Sequence, residues 1–242
     1  MDPQLFNKPG VTVRTDKLRK SYRSGEDAYT ALHSLTCEIP AGQVTVIQGP
    51  SGCGKTTLLN IVGGVDFADS GTVTVGDVEL TRQRDERKLA RYRLNDVGFV
   101  FQSFNLIPGL TVDANLQLPM AVAGLPHDLR KAKAEQLLEL VGIADKRGKR
   151  PEQLSGGEQQ RVAIALSLVN DPPVILADEP TGNLDSKNTG TVVGLLRMLA
   201  HEWKKTIIVS THDPLVADQG DQILMMRDGS IEGQANGHRP SF

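Results

Sequence analysis

One segment constrains this chain more than any other: residues 49–56 match the pattern G-x-x-x-x-G-K-[ST] at every fixed position. The segment follows an apolar run, Val44 to Ile47, and precedes a helical stretch that begins near Thr56. Glycines let successive N–H groups point at phosphate oxygens, and the helix N-terminus adds its dipole. A tight turn requires glycine, but its geometry does not require Lys55 followed by Thr56. The sequence therefore predicts a nucleotide site formed by Gly49, Pro50, Ser51, Gly52, Cys53, Gly54, Lys55, Thr56 and Thr57.

A second motif ends an apolar run in the second half of the chain. Residues 174–177 are apolar and are followed directly by Asp178 and Glu179. A buried strand holds its terminal carboxylate rigidly, which suits Asp178 for a Mg²⁺ shell, while Glu179 can polarise water as a general base. The same pattern is common in ordinary strands. Beside a phosphate loop, however, it predicts phosphoryl-transfer chemistry.

A third motif, Leu154-Ser155-Gly156-Gly157-Glu158, has two compatible interpretations. Ser155 and Glu158 have the spacing of a capping box, which begins a helix. A helix N-terminus with paired glycines and a hydroxyl is also a receptor for anions. Because one phosphate loop already serves one nucleotide, this second helix end is best explained if it meets the nucleotide of a neighbouring copy. The motif thus predicts a dimer that closes over ATP.

Composition excludes several other classes of protein. The 242 residues carry 27 Lys and Arg against 29 Asp and Glu, a net charge of −2 that argues against non-specific DNA or RNA binding. Two cysteines are too few for a disulfide scaffold or a four-cysteine zinc site. No apolar run approaches the ~18 residues of a membrane span, and the first residues lack the pattern of a secretory signal. We therefore expect a cytoplasmic protein with no nucleic-acid partner.

Hydrophobic periodicity predicts an α/β fold. Alternating apolar positions between 11 and 80 indicate mainly antiparallel strands, including a hairpin around residues 76–77. Helical spacing within 128–141 and 192–199, with short apolar runs at 174–177 and 206–210, gives alternating helices and strands in the second half. Such alternation is typical of a mainly parallel sheet. The ends, 1–10 and 233–242, are expected to be loose tails.

The phosphate loop, Gln102, the Leu-Ser-Gly-Gly-Glu motif, Asp178-Glu179 and His212 follow one another in an order that resembles the ATP-binding-cassette (ABC) ATPases. The resemblance covers roughly residues 11–232. It implies a single ABC ATPase domain over 1–242 with a P-loop NTPase (RecA-like) core, an antiparallel β subdomain and an inserted α-helical subdomain. The implied subdomains are 11–100, β-rich with the phosphate loop, 103–160, helical, and 161–232, core.

The same resemblance assigns roles to individual residues. Tyr22 matches the aromatic that stacks on adenine, and Asp185 belongs to the loop that crosses the dimer interface. Ligands of Mg²⁺ are implied at Thr56, Gln102 and Asp178. Catalytic roles fall on Glu179, His212, Lys55 and Gln102, and the trans ATP site takes Leu154, Ser155, Gly156, Gly157 and Glu158 from the second copy. ATP and Mg²⁺ are the implied substrate and cofactor.

Three segments of the sequence resemble those of the macrolide-export and lipoprotein-release branch of this family. They are residues 98–108, 115–119 and 177–186. This implies a separate integral-membrane permease, which holds the chain at the inner face of the cell membrane, and a lipoprotein, macrolide or peptide type of cargo. Leu166 stands where the family usually has arginine, and Gly182-Asn183 where many members have Ser-Ala. A cassette serving a cytoplasmic assembly scaffold is the alternative. A small-molecule kinase would have no use for the signature helix.

Overall fold

The computed structural model describes residues 5–24, 27–81, 83 and 85–237. The strands in these ranges are β1 (Val13–Ser24), β2 (Asp27–Ile39), β3 (Val44–Gln48), β4 (Ser70–Val75), β5 (Val78–Glu79), β6 (Val97–Phe101), β7 (Val174–Asp178), β8 (Thr206–Thr211), β9 (Gln222–Arg227) and β10 (Ser230–Asn236). The helices are α1 (Lys55–Val62), α2 (Glu86–Asn95), α3 (Val112–Val122), α4 (His127–Leu140), α5 (Gly156–Leu168), α6 (Ser186–His201) and α7 (Pro214–Ala217). Two short 3₁₀ helices lie at Ala144–Lys146 and Pro151–Gln153.

A six-stranded sheet in the order β10-β9-β3-β8-β7-β6 forms the centre of the molecule. Its strands from β9 to β6 pair in parallel, and only β10 pairs antiparallel, in the hairpin with β9. The mainly parallel sheet predicted for the second half of the chain is therefore confirmed. Because the carboxyl ends of parallel strands meet at one edge, the segments that follow β3, β6, β7 and β8 come together there.

A second, antiparallel sheet of four strands has the order β2-β1-β4-β5. In it Val75 pairs with Val78, so the hairpin predicted around residues 76–77 is confirmed. The first third of the chain supplies all four strands of this sheet, while β3, from the same third, joins the parallel sheet instead.

Each face of the central sheet carries its own hydrophobic core. On β7, Val174 and Leu176 point into the core that contains the apolar face of α1, whereas Ile175 and Ala177 point into the core that contains α5. This alternation follows from the two-residue period of a strand buried on both sides. The helix after the phosphate loop and the helix of the signature motif therefore lie on opposite faces of the sheet.

Three helices, α2, α3 and the short α7, escaped the sequence analysis. The N-cap of α2 is Asp85, which accepts from Arg87 N, and that of α3 is Thr111, which accepts from Ala114 N. Pro119 lies inside α3, where a proline usually disfavours a helix. Burial of Leu116 and Met120 against α4 and α5 outweighs that local preference.

The expectation of loose tails was wrong for the described parts of both ends. The Phe6 ring lies 5.1 Å from that of Trp203, and the N–H groups of Asn7 and Lys8 each donate to Asp171 Oδ2 at 2.9 Å. At the other end β10 continues through Asn236, paired with Gln222 on β9. Tertiary pairing, which local sequence does not reveal, orders these segments. Residues 1–4 and 238–242 of the predicted tails lie outside the described residues.

The proposed subdomain limits stay a prediction, although the limit between 160 and 161 falls inside the continuous helix α5. In the described ranges, none of the helices is both long and apolar enough to span a membrane.

Candidate functional site

The phosphate loop connects β3 to α1 at the edge where the parallel strands end. Gly54 has φ of 106°, and a Cβ on it would lie 2.4 Å from Ala31 O. A Cβ on Gly49 would lie 2.1 Å from Met226 O. Both positions accept glycine alone, the first for its backbone angle and the second for its close approach to β9. The loop is therefore shaped by tight packing as well as by turn chemistry.

The N-terminus of α1 is open toward the same edge. Its N-cap, Gly54, provides no side-chain hydrogen bond, whereas α2, α3, α5, α6 and α7 each begin with a side-chain cap in the part of the chain that the structure describes. The Lys55 side chain is 6% exposed, and its Nζ donates to Gly49 O at 2.8 Å and to Pro50 O at 3.0 Å. Uncapped N–H groups and a held ammonium form a receptor for an anion.

Thr56 and Asp178 meet although 122 residues separate them in the chain. Thr56 Oγ1 donates to Asp178 Oδ2 at 2.9 Å. A hydroxyl and a carboxylate are the hard oxygen ligands that Mg²⁺ prefers, and Mg²⁺ is commonly bound by one or two such groups together with substrate phosphates. The donor set here fits that ion.

Glu179 has an unusual backbone conformation and a charged environment. Its φ is 47°, in the left-handed region, and its N–H donates to Ser210 O at 3.1 Å and Ser210 Oγ at 3.0 Å. Glu179 Oε1 lies 3.0 Å from His212 Nδ1 and 3.7 Å from Lys55 Nζ. Backbone strain of this kind is concentrated at functional sites. The structure thus joins three of the four residues with predicted catalytic roles.

Gln102 directly follows β6, whose last residue, Phe101, pairs with Asp178. Among the described residues, its hydrogen bonds go to Asn183 rather than to Thr56 or Asp178: Asn183 Nδ2 donates to Gln102 O at 3.2 Å, and Gln102 Nε2 to Asn183 Oδ1 at 3.5 Å. Asn183 is one of the three residues that depart from the family pattern. A metal contact by Gln102 stays a prediction, and the contact found couples it to the loop before α6.

Tyr22 lies beside the phosphate loop on β1. Its hydroxyl lies near the Thr57 side chain of α1 and donates to Asp66 Oδ2 at 2.6 Å. Burial and this hydrogen bond to Asp66 raise the pKa of Tyr22 to about 12. The ring stacks on Tyr29, with centroids 5.6 Å apart. The predicted base-stacking aromatic is therefore fixed next to the phosphate loop.

The signature motif begins α5 as the predicted capping box. The Glu158 N–H donates to Ser155 Oγ at 3.3 Å, and Ser155 N donates to Glu158 Oε2 at 2.8 Å. Hydrogen bonds from the Ser155 backbone and hydroxyl hold the pKa of Glu158 below its usual range. Leu154 is buried in the core on the α5 face, and the Ser155 side chain is exposed.

Asp185, predicted for a loop at the dimer interface, is the N-cap of α6. It accepts from Asn188 N at 2.8 Å, and the hydrogen bonds from Asn188 lower its pKa. This capping role within one chain is a sufficient reason for an aspartate at position 185. A role at the dimer interface stays a prediction.

Sequence reasoning missed Ser210, a fully buried residue whose Oγ lies 2.5 Å from Asp178 Oδ1. Ser210 is also the strand partner of Asp178. A signal was present, because serine interrupts the apolar run of β8 two residues before His212, which has a predicted catalytic role.

Known proteins resemble the chain over most of its length. The family model described as ABC transporter matches residues 32–182. An uncharacterized ABC transporter ATP-binding protein of Thermotoga maritima is 50% identical over 214 residues, 88% of this chain and 91% of that relative. The macrolide export ATP-binding/permease protein MacB of Shigella flexneri is 42% identical over 214 residues, 88% of this chain but 33% of that longer protein.

A solved structure matches equally broadly. The ATP-binding cassette MJ0796 of Methanocaldococcus jannaschii, in a dimeric post-hydrolysis state bound to ADP and Pi, has a TM-score of 0.86 and 38% identity, covering 94% of this chain and 99% of that chain.

Proposed function

The chain belongs to the ABC transporter family of ATP-binding proteins, whose members hydrolyse ATP, and from this premise we propose that it is the motor subunit of a transporter. Two copies close over two Mg-ATP and drive a separate integral-membrane permease. The family resemblance and the P-loop NTPase fold inferred from sequence are both confirmed. The observation that carries the proposal is the placement of α1, which follows the phosphate loop, and of the signature helix α5 on opposite faces of one sheet.

That placement supports a site shared between two copies. The helix that begins at Lys55 packs in one core, and the helix that begins at Gly156 packs in the other. The two helix N-termini therefore start from different faces of the sheet, which favours a nucleotide contacted by two copies. A second copy, arranged head to tail, brings its signature to the first copy's phosphate loop. The dimeric state of MJ0796 supports the formation of a dimer.

The chemistry follows from the contacts at the strand edge. Mg²⁺ bound with the nucleotide would be held by Thr56 and Asp178, and it supplies positive charge that offsets charge on the phosphates. Glu179 accepts a proton from the attacking water at its carboxylate, which His212 orients through the 3.0 Å contact. Lys55 exchanges its two backbone carbonyls for phosphate oxygens. Positioning and electrostatics thus lower the barrier.

A groove beside the end of β6 supports a membrane partner. It has a volume of ≈ 220 Å³ and includes Phe99, Phe101, Phe104 and Leu166 in its lining. The unusual leucine at 166 makes the groove more apolar than the arginine of other members would. We assign this surface to an apolar segment of the permease. MacB, a protein named for ATP-binding and permease functions together, gives the pairing further support and favours an export or release role.

Affinity purification from detergent-solubilised host membranes tests the transport role. We expect the tagged chain to retain an integral-membrane protein that stimulates its ATPase. Phe104→Ala should lose this partner and keep basal ATPase, while Leu129→Ala, which trims an exposed apolar side chain on α4, should keep both. Recovery of the chain only in a soluble assembly complex would refute the transport role and favour the alternative of a cytoplasmic scaffold.

A further inference from the structure

A buried hydroxyl links the two acidic residues of the candidate site. We propose that Ser210 is a positioning residue, which orients the Asp178 carboxylate for Mg²⁺ and fixes the backbone of Glu179. The inference rests on the proposed function, because it takes Asp178 as a metal ligand and Glu179 as the base. No motif singled out Ser210, and it touches neither the nucleotide loop nor the signature through any hydrogen bond found among the described residues.

The hydrogen-bonding capacity of Ser210 fixes the direction of both contacts. A hydroxyl has one proton to donate and can accept from others. The Glu179 N–H can only donate, so Ser210 Oγ accepts from it at 3.0 Å. The single hydroxyl proton is then free for Asp178 Oδ1, 2.5 Å away, which accepts as an ionised carboxylate. Both hydrogen bonds of the Ser210 hydroxyl therefore go to residues of the candidate site.

Asp178 is consequently held by two hydroxyl groups. Oδ1 accepts the hydroxyl proton of Ser210, while the Thr56 hydroxyl lies 2.9 Å from Oδ2 and 3.2 Å from Oδ1. The two contacts come from different elements, Ser210 on the neighbouring strand β8 and Thr56 on α1. Hydrogen bonds to a metal-ligating carboxylate set its orientation and its metal affinity. Ser210 thus supplies the fixed side of this carboxylate, and the Thr56 side faces the phosphate loop.

The surroundings of Ser210 show that the hydroxyl is not incidental. The preceding residues of β8, Ile207, Ile208 and Val209, are apolar and buried, and Ser210 itself is 0% exposed. A buried hydroxyl is unfavourable unless it is hydrogen-bonded, and a small apolar residue would suit the strand equally well. The compensation comes from the two contacts to Asp178 and Glu179, whose backbone is held at φ of 47°.

A matched control exists at the other end of the same strand. Thr206 is also 0% exposed, its hydroxyl donates to Val11 O at 2.8 Å, and it accepts from Gly42 N at 3.2 Å. Thr206→Val removes one donated and one accepted hydrogen bond from β8, as Ser210→Ala does, but far from the carboxylates. Asp178→Asn serves as the reference for loss of the metal ligand.

Two measurements separate positioning from mere stability. The first is the free Mg²⁺ concentration at half-maximal ATPase, which Ser210→Ala should raise about 10-fold. The second, made without metal or nucleotide, is hydrogen exchange of the Glu179 amide, which should accelerate in Ser210→Ala. Binding of ATP in EDTA should stay within about twofold of the unmodified chain. Thr206→Val should alter neither the Mg²⁺ dependence nor the exchange of that amide.

The outcomes distinguish the inference from the function on which it rests. A raised Mg²⁺ requirement in Asp178→Asn with an unchanged one in Ser210→Ala would refute the role of Ser210 alone. An unchanged requirement in Asp178→Asn would refute the metal site, and with it that role. Equal effects of Thr206→Val and Ser210→Ala would reduce the residue to a structural one. If the alanine variant does not fold, Ser210→Cys, with similar volume and a weak donor, is judged by the same shifts.

Discussion

Gly156, the first residue of the signature helix, offers a substitution that separates folding from function. A Cβ at this position would meet its nearest neighbour, Phe104 Cζ, at 3.8 Å, an ordinary van der Waals contact. Alanine is also favoured over glycine in helices by up to about 1 kcal/mol. We therefore expect Gly156→Ala to leave the free energy of unfolding unchanged or raise it by at most about 1 kcal/mol. Within one chain, nothing about Gly156 needs glycine.

The function is expected to respond in the opposite direction. If the signature meets the nucleotide of a second copy, the added methyl group lies between the helix N-terminus and the phosphates. We expect ATPase activity to fall at least ~10-fold, which corresponds to about 1.4 kcal/mol of the barrier. ATP binding to the isolated chain should not change, because the helix α1 that follows the phosphate loop packs on the other face of the sheet from α5.

The assay compares urea unfolding, ATP binding and steady-state ATPase for Gly156→Ala and a matched variant. Gly194→Ala makes the same change on α6, where a Cβ would have no neighbour within 4 Å, and should keep full activity. Unchanged ATPase in a stable Gly156→Ala protein would contradict the shared site. A loss of several kcal/mol in the free energy of unfolding of Gly156→Ala would show instead that this helix N-terminus is packed more tightly than the 3.8 Å contact implies.

Two further predictions concern side-chain pairs outside the catalytic centre. Lys205, whose side chain is 1% exposed, pairs with the buried Asp171 carboxylate, so Lys205→Ala should lower the free energy of unfolding by about 3–5 kcal/mol. Arg14 pairs with Glu38 on the surface, so Arg14→Ala should lower it by less than ~1 kcal/mol. Similar losses of stability for the two variants in urea unfolding would contradict this ranking. Asp66→Asn should bring the pKa of Tyr22 down from about 12 toward its usual value, as ultraviolet titration measures, and an unchanged pKa would refute the hydrogen bond as a cause. Because the folded pKa is the higher one, the unmodified chain should lose stability as pH rises from ~10 through 12, and Asp66→Asn should narrow that window.

Contiguous motifs made most of the candidate site predictable from sequence. The phosphate loop, the Asp178-Glu179 pair and the capping box at Ser155 are each defined by residues a few positions apart, so their geometry follows from local rules. Short apolar runs likewise predicted β7 and β8. The structure places Lys55, Glu179 and His212 together because parallel strands bring separate segments to one edge.

Contacts between distant residues could not be inferred in this way. Ser210 meets Asp178 across 32 positions, and the N-terminal segment docks on Asp171 across 164. Neither pair forms a recognisable spacing, so these contacts are seen only in the folded chain. The helix that contains Pro119 was missed for another reason, since its tertiary packing outweighs the local disfavour for proline.

The central claim is that two copies share each nucleotide through the signature motif. Light scattering tests this claim most directly by measuring the molecular mass of two variants. The first is Glu179→Gln, which retains the ATP-binding groups but lacks the base. The second is a double variant that carries Ser155→Arg as well. With saturating ATP, Glu179→Gln should have twice the 26.2 kDa mass of the chain, and the double variant should stay at 26.2 kDa while binding ATP equally well. A Glu179→Gln protein that remains monomeric, or a double variant that dimerises to the same extent, would contradict the account.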